Sequence, residues 1–228
     1  MKRPGEREPV VAIDGPAGAG KGTVARVLAE RLGYRLLDTG AMYRAVALSV
    51  MRAGVSPDDV DTLERHLDRI DVTVVDGQVR LDGADVSRAI RTQEVGQLTS
   101  VLSMLRTVRE KVTPFQRRAA SVGGVVLEGR DTGTVVCPDA EVKFFLTASL
   151  ETRARRRYLE ITAGGAGLTF DQVRLEVAAR DAQDANRAVA PLRKAPDAIE
   201  VDTTELTVDE VVDRMLQIVK ERQCCTRS

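Results

Sequence analysis

Lys21 closes a glycine-rich run, Gly15-Pro16-Ala17-Gly18-Ala19-Gly20-Lys21-Gly22-Thr23. Glycines let a backbone curl until several N–H groups point at one anion. The apolar run Val10-Val11-Ala12-Ile13 precedes them, and Val24, Val27, Leu28 and Leu32 recur behind them at helical spacing until Gly33 supplies a stop. The loop therefore leaves a buried strand and opens a helix. The helix N-terminus adds positive potential there, and Lys21 is placed to neutralise the outer phosphates of a polyphosphate chain. The general pattern puts Ser or Thr directly after the lysine; here Gly22 follows it and the hydroxyl comes one place later, at Thr23.

A second group of cations sits on separate segments: Arg44, Arg109, Arg130, Arg180 and Arg187. Any one of them read alone is a solvated surface charge. Their surroundings argue otherwise. Arg130 lies in Glu128-Gly129-Arg130-Asp131-Thr132-Gly133-Thr134, directly after the apolar run Val125-Val126-Leu127, where ligands collect in open α/β sheets. Arg180, Asp184 and Arg187 fall three to four apart, on one helix face. Fixed cations facing a phosphate loop suit the transfer of a phosphoryl group to a second phosphate. Arg153, Arg155, Arg156 and Arg157 form a further run whose default is a solvated helix face.

The elements that must hold these residues read β-α-β-α at the start. Leu36-Leu37 is a second buried strand, and Tyr43, Ala47, Val50 and Met51 mark a second helix closed by Gly54. Residues 71–92 break that rhythm. Val72 to Val75, the turn pair Asp76-Gly77 and Val79 to Leu81 predict a β-hairpin insertion. Glu94 to Ser121 reads as helix, with Pro114 marking a kink or break. Val125 to Leu127, Val142 to Leu146 and Ile199 to Val201 complete five core strands. Helices are predicted over Leu150 to Thr162, Phe170 to Arg187 and Val208 to Glu221, with Gly164 to Gly167 a flexible crest between the first two.

In sequence order, GPAGAGKGT, LLDTGAMYR, IRTQEV, GRDTGTVV-PDA and RD--D-NRAVAPL resemble the bacterial cytidylate kinases, over residues 11 to 192. Asp85-Val86-Ser87 before Ile90-Arg91-Thr92 matches that family's insertion too. Thr39 stands where the family often has Ser, and Glu128 where it has Asp. The resemblance implies an α/β P-loop NTPase fold, with a five-stranded parallel sheet, flanking helices, a β-hairpin insertion and a short helical lid. One domain, 1–228, would comprise a core (9–38, 122–150 and 188–223), an acceptor-binding part (39–121) and a lid (151–187). It implies ATP as phosphoryl donor with Mg²⁺, and CMP or dCMP as acceptor. Residues Gly15 to Thr23, with Arg153 and Arg157 from the lid, would hold ATP. Ser100, Arg109 and Asp131 would face the cytosine, Arg180 and Asp184 the ribose, and Arg44, Arg130 and Arg187 the acceptor phosphate, with Thr39 and Tyr43 beside them. Lys21, Arg130 and Arg187 would carry the transferring charge. No side chain is assigned as a metal ligand; Thr23 is the hydroxyl placed to lie near Mg²⁺.

Composition limits the rivals. With 34 Lys and Arg against 34 Asp and Glu, no global field draws the chain to nucleic acid or anionic membrane. Three cysteines, Cys137, Cys224 and Cys225, form no disulfide framework and fit a reducing cytosol. The single histidine, His66, excludes a His-based zinc site. No run approaches a membrane span, and the charged first residues do not read as a signal peptide. A cytoplasmic monomer is expected. A GTP-driven switch would need Asn-Lys-x-Asp, whereas the only asparagine, Asn186, precedes Arg187. A kinase for UMP or another small acceptor is the nearest alternative.

Overall fold

The computed structural model describes residues 7–75, 77–163 and 167–225. Five strands form the central sheet: β1 (Val10–Asp14), β2 (Arg35–Asp38), β6 (Val125–Glu128), β7 (Val142–Thr147) and β8 (Ile199–Asp202). Their order is β2-β6-β1-β7-β8 and every pairing is parallel. Parallel strands buried on both faces need near-continuous apolar runs, which is why β1 is buried along its whole length. On one face, α1 (Lys21–Leu32) and α8 (Val208–Cys225) pack Val24, Leu28, Val212 and Met215 against Ile13, Phe144 and Leu146. On the other, α2 (Thr39–Ala53), α4 (Gln93–Leu102) and α5 (Arg106–Ala120) build a second core around Met42, Val46, Leu102 and Val112. Because all five strands run the same way, their C-terminal ends share one edge. The chain leaves that edge at Asp14, Asp38, Glu128 and Thr147 to form the loops and helices described next.

The insertion is larger than a hairpin. Strands β3 (Val72–Val75) and β4 (Gln78–Leu81) are joined by a two-residue β5 (Ala84–Asp85), too short to leave a periodic signal. Asp76, in the expected hairpin turn, lies outside the described residues, as do 164–166 of the expected glycine crest. The short α3 (Val60–Leu67), capped by Asp59, was not foreseen.

The helix expected over Glu94 to Ser121 is two helices, and the break is not at Pro114. It falls at Ser103 to Leu105, while α5 runs through Pro114 without interruption. Pro114 lies on the solvent face, so the Glu110 carbonyl that it leaves without an N–H partner can bond to water. Helices α6 (Leu150–Ala163) and α7 (Phe170–Asn186), between β7 and β8, pack on each other. A capping box at Thr169 and Gln172 starts α7.

Gly15 shows how tightly the edge is built. Its φ is +149°, and a Cβ there would lie 2.1 Å from the Leu146 carbonyl oxygen on β7. Gly15→Ala is expected to lower stability by at least about 2 kcal/mol, since neither strand can give way. Urea unfolding reads this as a lower midpoint; an unchanged midpoint would contradict the packing described.

Candidate active site

The phosphate loop takes its shape from its glycines and from Lys21, and Asp14 ties it to the rest of the site. Gly18 and Gly20 hold left-handed backbone, with φ of +75° and +84°. Lys21, the first residue of α1, is only 5% exposed, and its Nζ donates to the Pro16 carbonyl at 2.7 Å. Asp14, where β1 ends, accepts from the Thr132 N–H, the Thr132 hydroxyl and the Gly133 N–H, each at 2.8 Å. Those bonds fasten the loop after β6 to the strand that feeds the glycines. That loop closes in a π-helical turn, Thr132–Val136, which the sequence did not announce.

The acceptor-side residues converge from four elements. On α2, Thr39 donates its hydroxyl to the Glu128 carbonyl at 2.7 Å, and Arg44 reaches the Ile90 carbonyl at 3.1 Å. Gly96 of α4 leaves the room for that guanidinium, since a Cβ there would meet it at 3.3 Å. Asp38 caps α2 through the Ala41 N–H and also pairs with Arg91 at 3.3 Å. On α5, Arg109 is buried between the Ser103 carbonyl, which ends α4, and Asp131. Its guanidinium lies 5.4 Å from the centre of the Tyr43 ring. At the C-terminal cap of α7, Arg187 approaches the other oxygen of Asp131 at 3.4 Å and donates Nε to the Ala190 carbonyl. Asp184 holds the Arg130 Nε at 2.8 Å.

These side chains enclose one cleft of about 360 Å³. Of the residues singled out in the sequence, Ala17, Gly18, Gly20, Lys21, Gly22 and Thr23 line one end of it. Thr39, Tyr43, Arg44, Arg109, Arg130, Asp131, Arg157, Arg180, Asp184 and Arg187 line the rest. Ser100 opens on a small adjoining pocket beside Arg180, Asp184 and Arg187, and its hydroxyl donates to the Gly96 carbonyl at 3.2 Å. Gly15, Pro16 and Ala19 of the same loop do not line the cleft. Arg153, expected with Arg157 over the phosphates, is instead behind the loop. There it donates to the Ala148 and Ala17 carbonyls and pairs with Asp181. The cleft also holds Asp38, Arg91, Ser103 and Glu128, which the sequence reading did not select as site residues. Arg91 and Glu128 stand inside the quoted IRTQEV and EGRDTGT strings; Ser103 carries no local signal.

Crowded cations change one another's protonation. Burial and the neighbouring Arg130 pull the Lys21 ammonium well below its usual range, although Glu128, Asp14 and Asp184 oppose them. Burial and the Asp38 carboxyl push Glu128 up, against Lys21 and Arg130. Burial, then Arg130, lowers Arg180, and burial leads for Arg187 as well. An incoming phosphate would reverse the first shift, because negative charge favours the protonated amine, and would raise Glu128 further. Both effects have the same sign: nucleotide binding takes up protons, and affinity falls as pH rises above the free-site pKa of Lys21. Calorimetry of ATP binding near pH 8 in buffers of different ionisation enthalpy should show net proton uptake. Buffer-independent heats would contradict this electrostatic reading.

With this geometry in hand, comparison with known proteins is informative. The family described as Cytidylate kinase matches residues 11–221. A "Cytidylate kinase" of Geobacter sulfurreducens is 49% identical over 230 residues, covering 99% of each chain. One of Bacillus subtilis is 45% identical over 221 residues, covering 95% of this chain and 99% of its own. Among solved structures, TT1252 from Thermus thermophilus covers 95% of this chain and 98% of its own, with a TM-score of 0.50 at 20% identity. An uncharacterized protein from Eubacterium ventriosum covers 93% and 99%, with a TM-score of 0.53 at 13% identity. Those two likenesses concern the fold alone.

Proposed function

This chain belongs to the cytidylate kinase family, and on that premise we propose that it moves the γ-phosphoryl group of ATP onto CMP, and onto dCMP, by direct in-line transfer. The observation that carries the reading is the single cleft, with the phosphate loop at one end and the buried Arg109–Asp131 pair at the other. A donor chain cradled at Gly18 to Thr23 would point its outer phosphate toward Arg44, Arg130 and Arg187. Those arginines suit the acceptor phosphate and the charge that develops between the two nucleotides. Arg157, exposed on α6 and paired with Glu160 at 3.0 Å, is the arginine of the 153–157 run that lines the cleft. We divide the labour between the core, the acceptor part at 39–121 and the lid at 151–187.

No protein base is required. The acceptor phosphate, with a second pKa of about 6, is largely dianionic at neutral pH. Lys21, Arg130 and Arg187 hold charge at the transferring group, while Asp131 and Asp184 keep the arginines in place. Base choice follows from edge chemistry. Cytosine offers an amino donor beside acceptors, so Asp131 accepts from the amino group and Arg109 donates to its neighbours. Uracil sets a carbonyl against the same carboxylate.

The donor set also fits magnesium carried by the substrate. No group of three or more His, Cys, Asp or Glu among the described residues is gathered around a common point, and Asp14 is spent on Thr132 and Gly133. Mg²⁺ would keep phosphate and water ligands, with the exposed Thr23 hydroxyl nearest on the protein side, and would supply charge neutralisation on the phosphate oxygens. Among the described residues no helix is long and apolar enough to cross a membrane. We place the enzyme in the cytoplasm, a reading supported by its sparse cysteines, and take it to act as a monomer.

Two variants test the assignment. Lys21→Met should stay folded while kcat falls by about 10²- to 10³-fold, the usual cost of removing one such charge; near-normal turnover would end the assignment of Lys21. Asp131→Asn can turn an NH₂ group toward uracil, so the CMP-to-UMP ratio of kcat/KM should fall roughly ten- to a hundredfold. Equal losses for the two nucleotides would mean that Asp131 only orients Arg109 and Arg187.

A further inference from the structure

Helix α7 touches both halves of the cleft. Arg180, Asp184 and Arg187 face the acceptor side, and Asp184 and Arg187 make the contacts to Arg130 and Asp131 described above. One residue after Arg180, Asp181 turns to the phosphate loop instead. One of its carboxylate oxygens accepts from the Ala17 N–H at 3.2 Å, and the other pairs with Arg153. Arg153 in turn donates to the Ala17 carbonyl at 3.1 Å and to the Ala148 carbonyl at 2.9 Å. Both polar groups of the Ala17 residue are thereby held by one ion pair. The pair is largely removed from water, with side-chain exposures of 9% for Arg153 and 22% for Asp181.

The packing around this grip leaves little slack. Gly18 carries φ +75°, and a Cβ on it would meet the Arg153 backbone oxygen at 2.8 Å and the Arg153 Cβ at 2.9 Å. The loop thus rests directly on the start of α6, with the guanidinium of Arg153 reaching around Ala17 to α7. Residues 181 to 186 of α7 span about 7.5 Å at the helical rise, a stiff element over that length, and Arg187 follows directly as the residue that caps it. A movement of α7 that draws Arg180, Asp184 and Arg187 onto the acceptor must therefore also move the carboxylate that holds Ala17.

We propose that Asp181, through Arg153 and the Ala17 peptide, is a positioning residue that couples occupancy of the acceptor site to the shape of the phosphate loop. The inference rests on the kinase reading above and adds to it the link by which each substrate improves the site for the other. A link of this kind is reciprocal: whatever factor the acceptor contributes to donor affinity, the donor returns to the acceptor. Asp181 is not placed against either substrate, so removing it should leave the binding of CMP alone nearly unchanged. The loss should appear in the coupling.

The test is calorimetric binding of a non-hydrolysable ATP analogue to the full chain, with and without saturating CMP, alongside steady-state kinetics. Wild-type protein should bind the analogue more tightly with CMP present. In Asp181→Ala that ratio should fall at least about fivefold, toward one, while the affinity for CMP alone changes less than about twofold. Asp181→Asn keeps an oxygen that can accept from the Ala17 N–H but lacks the charge opposite Arg153, so its ratio should lie between the two. In kinetics, the KM for ATP should rise more than kcat falls. A wild-type ratio of one would overturn the proposal, as would an unchanged ratio in folded Asp181→Ala. Equal weakening of both ligands, or a lower melting temperature with the ratio intact, would make Asp181 merely structural and overturn it too. Failure of the kinase reading would look different: wild-type protein would bind no CMP and form no CDP.

Discussion

Like charges drawn into one small space govern this structure. Lys21, Arg44, Arg109, Arg130, Arg180 and Arg187 all border a cleft of about 360 Å³. Bringing them together costs desolvation and repulsion, and both act to lower the pKa of Lys21 and of Arg180, with burial the larger cause in each. Asp131 and Asp184 offset part of it. Each touches two basic groups, Arg109 and Arg187 for the first, Arg130 and Arg187 for the second. The remaining imbalance is positive and sits where two phosphate chains would meet. Phosphate is the chemistry that relieves it.

The fold explains how such a cluster is held. A parallel sheet delivers the ends of β1, β2, β6 and β7 to one edge, and each end launches a different part of the site. Asp14 is the cross-brace. Buried at the end of β1, it gathers Thr132 and Gly133, so the segment carrying Arg130 and Asp131 cannot drift from the phosphate loop. Burial pushes its carboxyl up, and the three hydrogen bonds from Thr132 and Gly133 oppose that shift. Arg109 is braced in a similar way, since its guanidinium meets the Ser103 carbonyl just after α4 as well as Asp131.

Much of this was legible in the residues. Glycine runs beside a lysine, and arginines beside Gly or Asp after an apolar strand, announce themselves because few residue types can do those jobs. The five core strands were readable for a related reason: buried parallel strands are short apolar runs. What escaped the sequence depends on distant partners. Nothing near Arg153 shows that it will pair with Asp181 rather than face the cleft, since the two are joined only by how α6 and α7 pack. Pro114 suggested a break that its exposed position made unnecessary, while the true break at Ser103 to Leu105 contains neither glycine nor proline. The π-helical turn after Asp131 is imposed by Asp14, more than a hundred residues earlier.

If donor and acceptor phosphates meet in this one cleft, a compound joining cytidine to adenosine, 5′ to 5′, through a chain of phosphates would span both halves at once. Equilibrium titration should find one molecule bound per chain, displacing ATP and CMP together, with an affinity at least about a hundredfold above that of either nucleotide alone because the second contact becomes intramolecular. Displacement of only one nucleotide, or an affinity no better than that of CMP, would contradict a shared cleft.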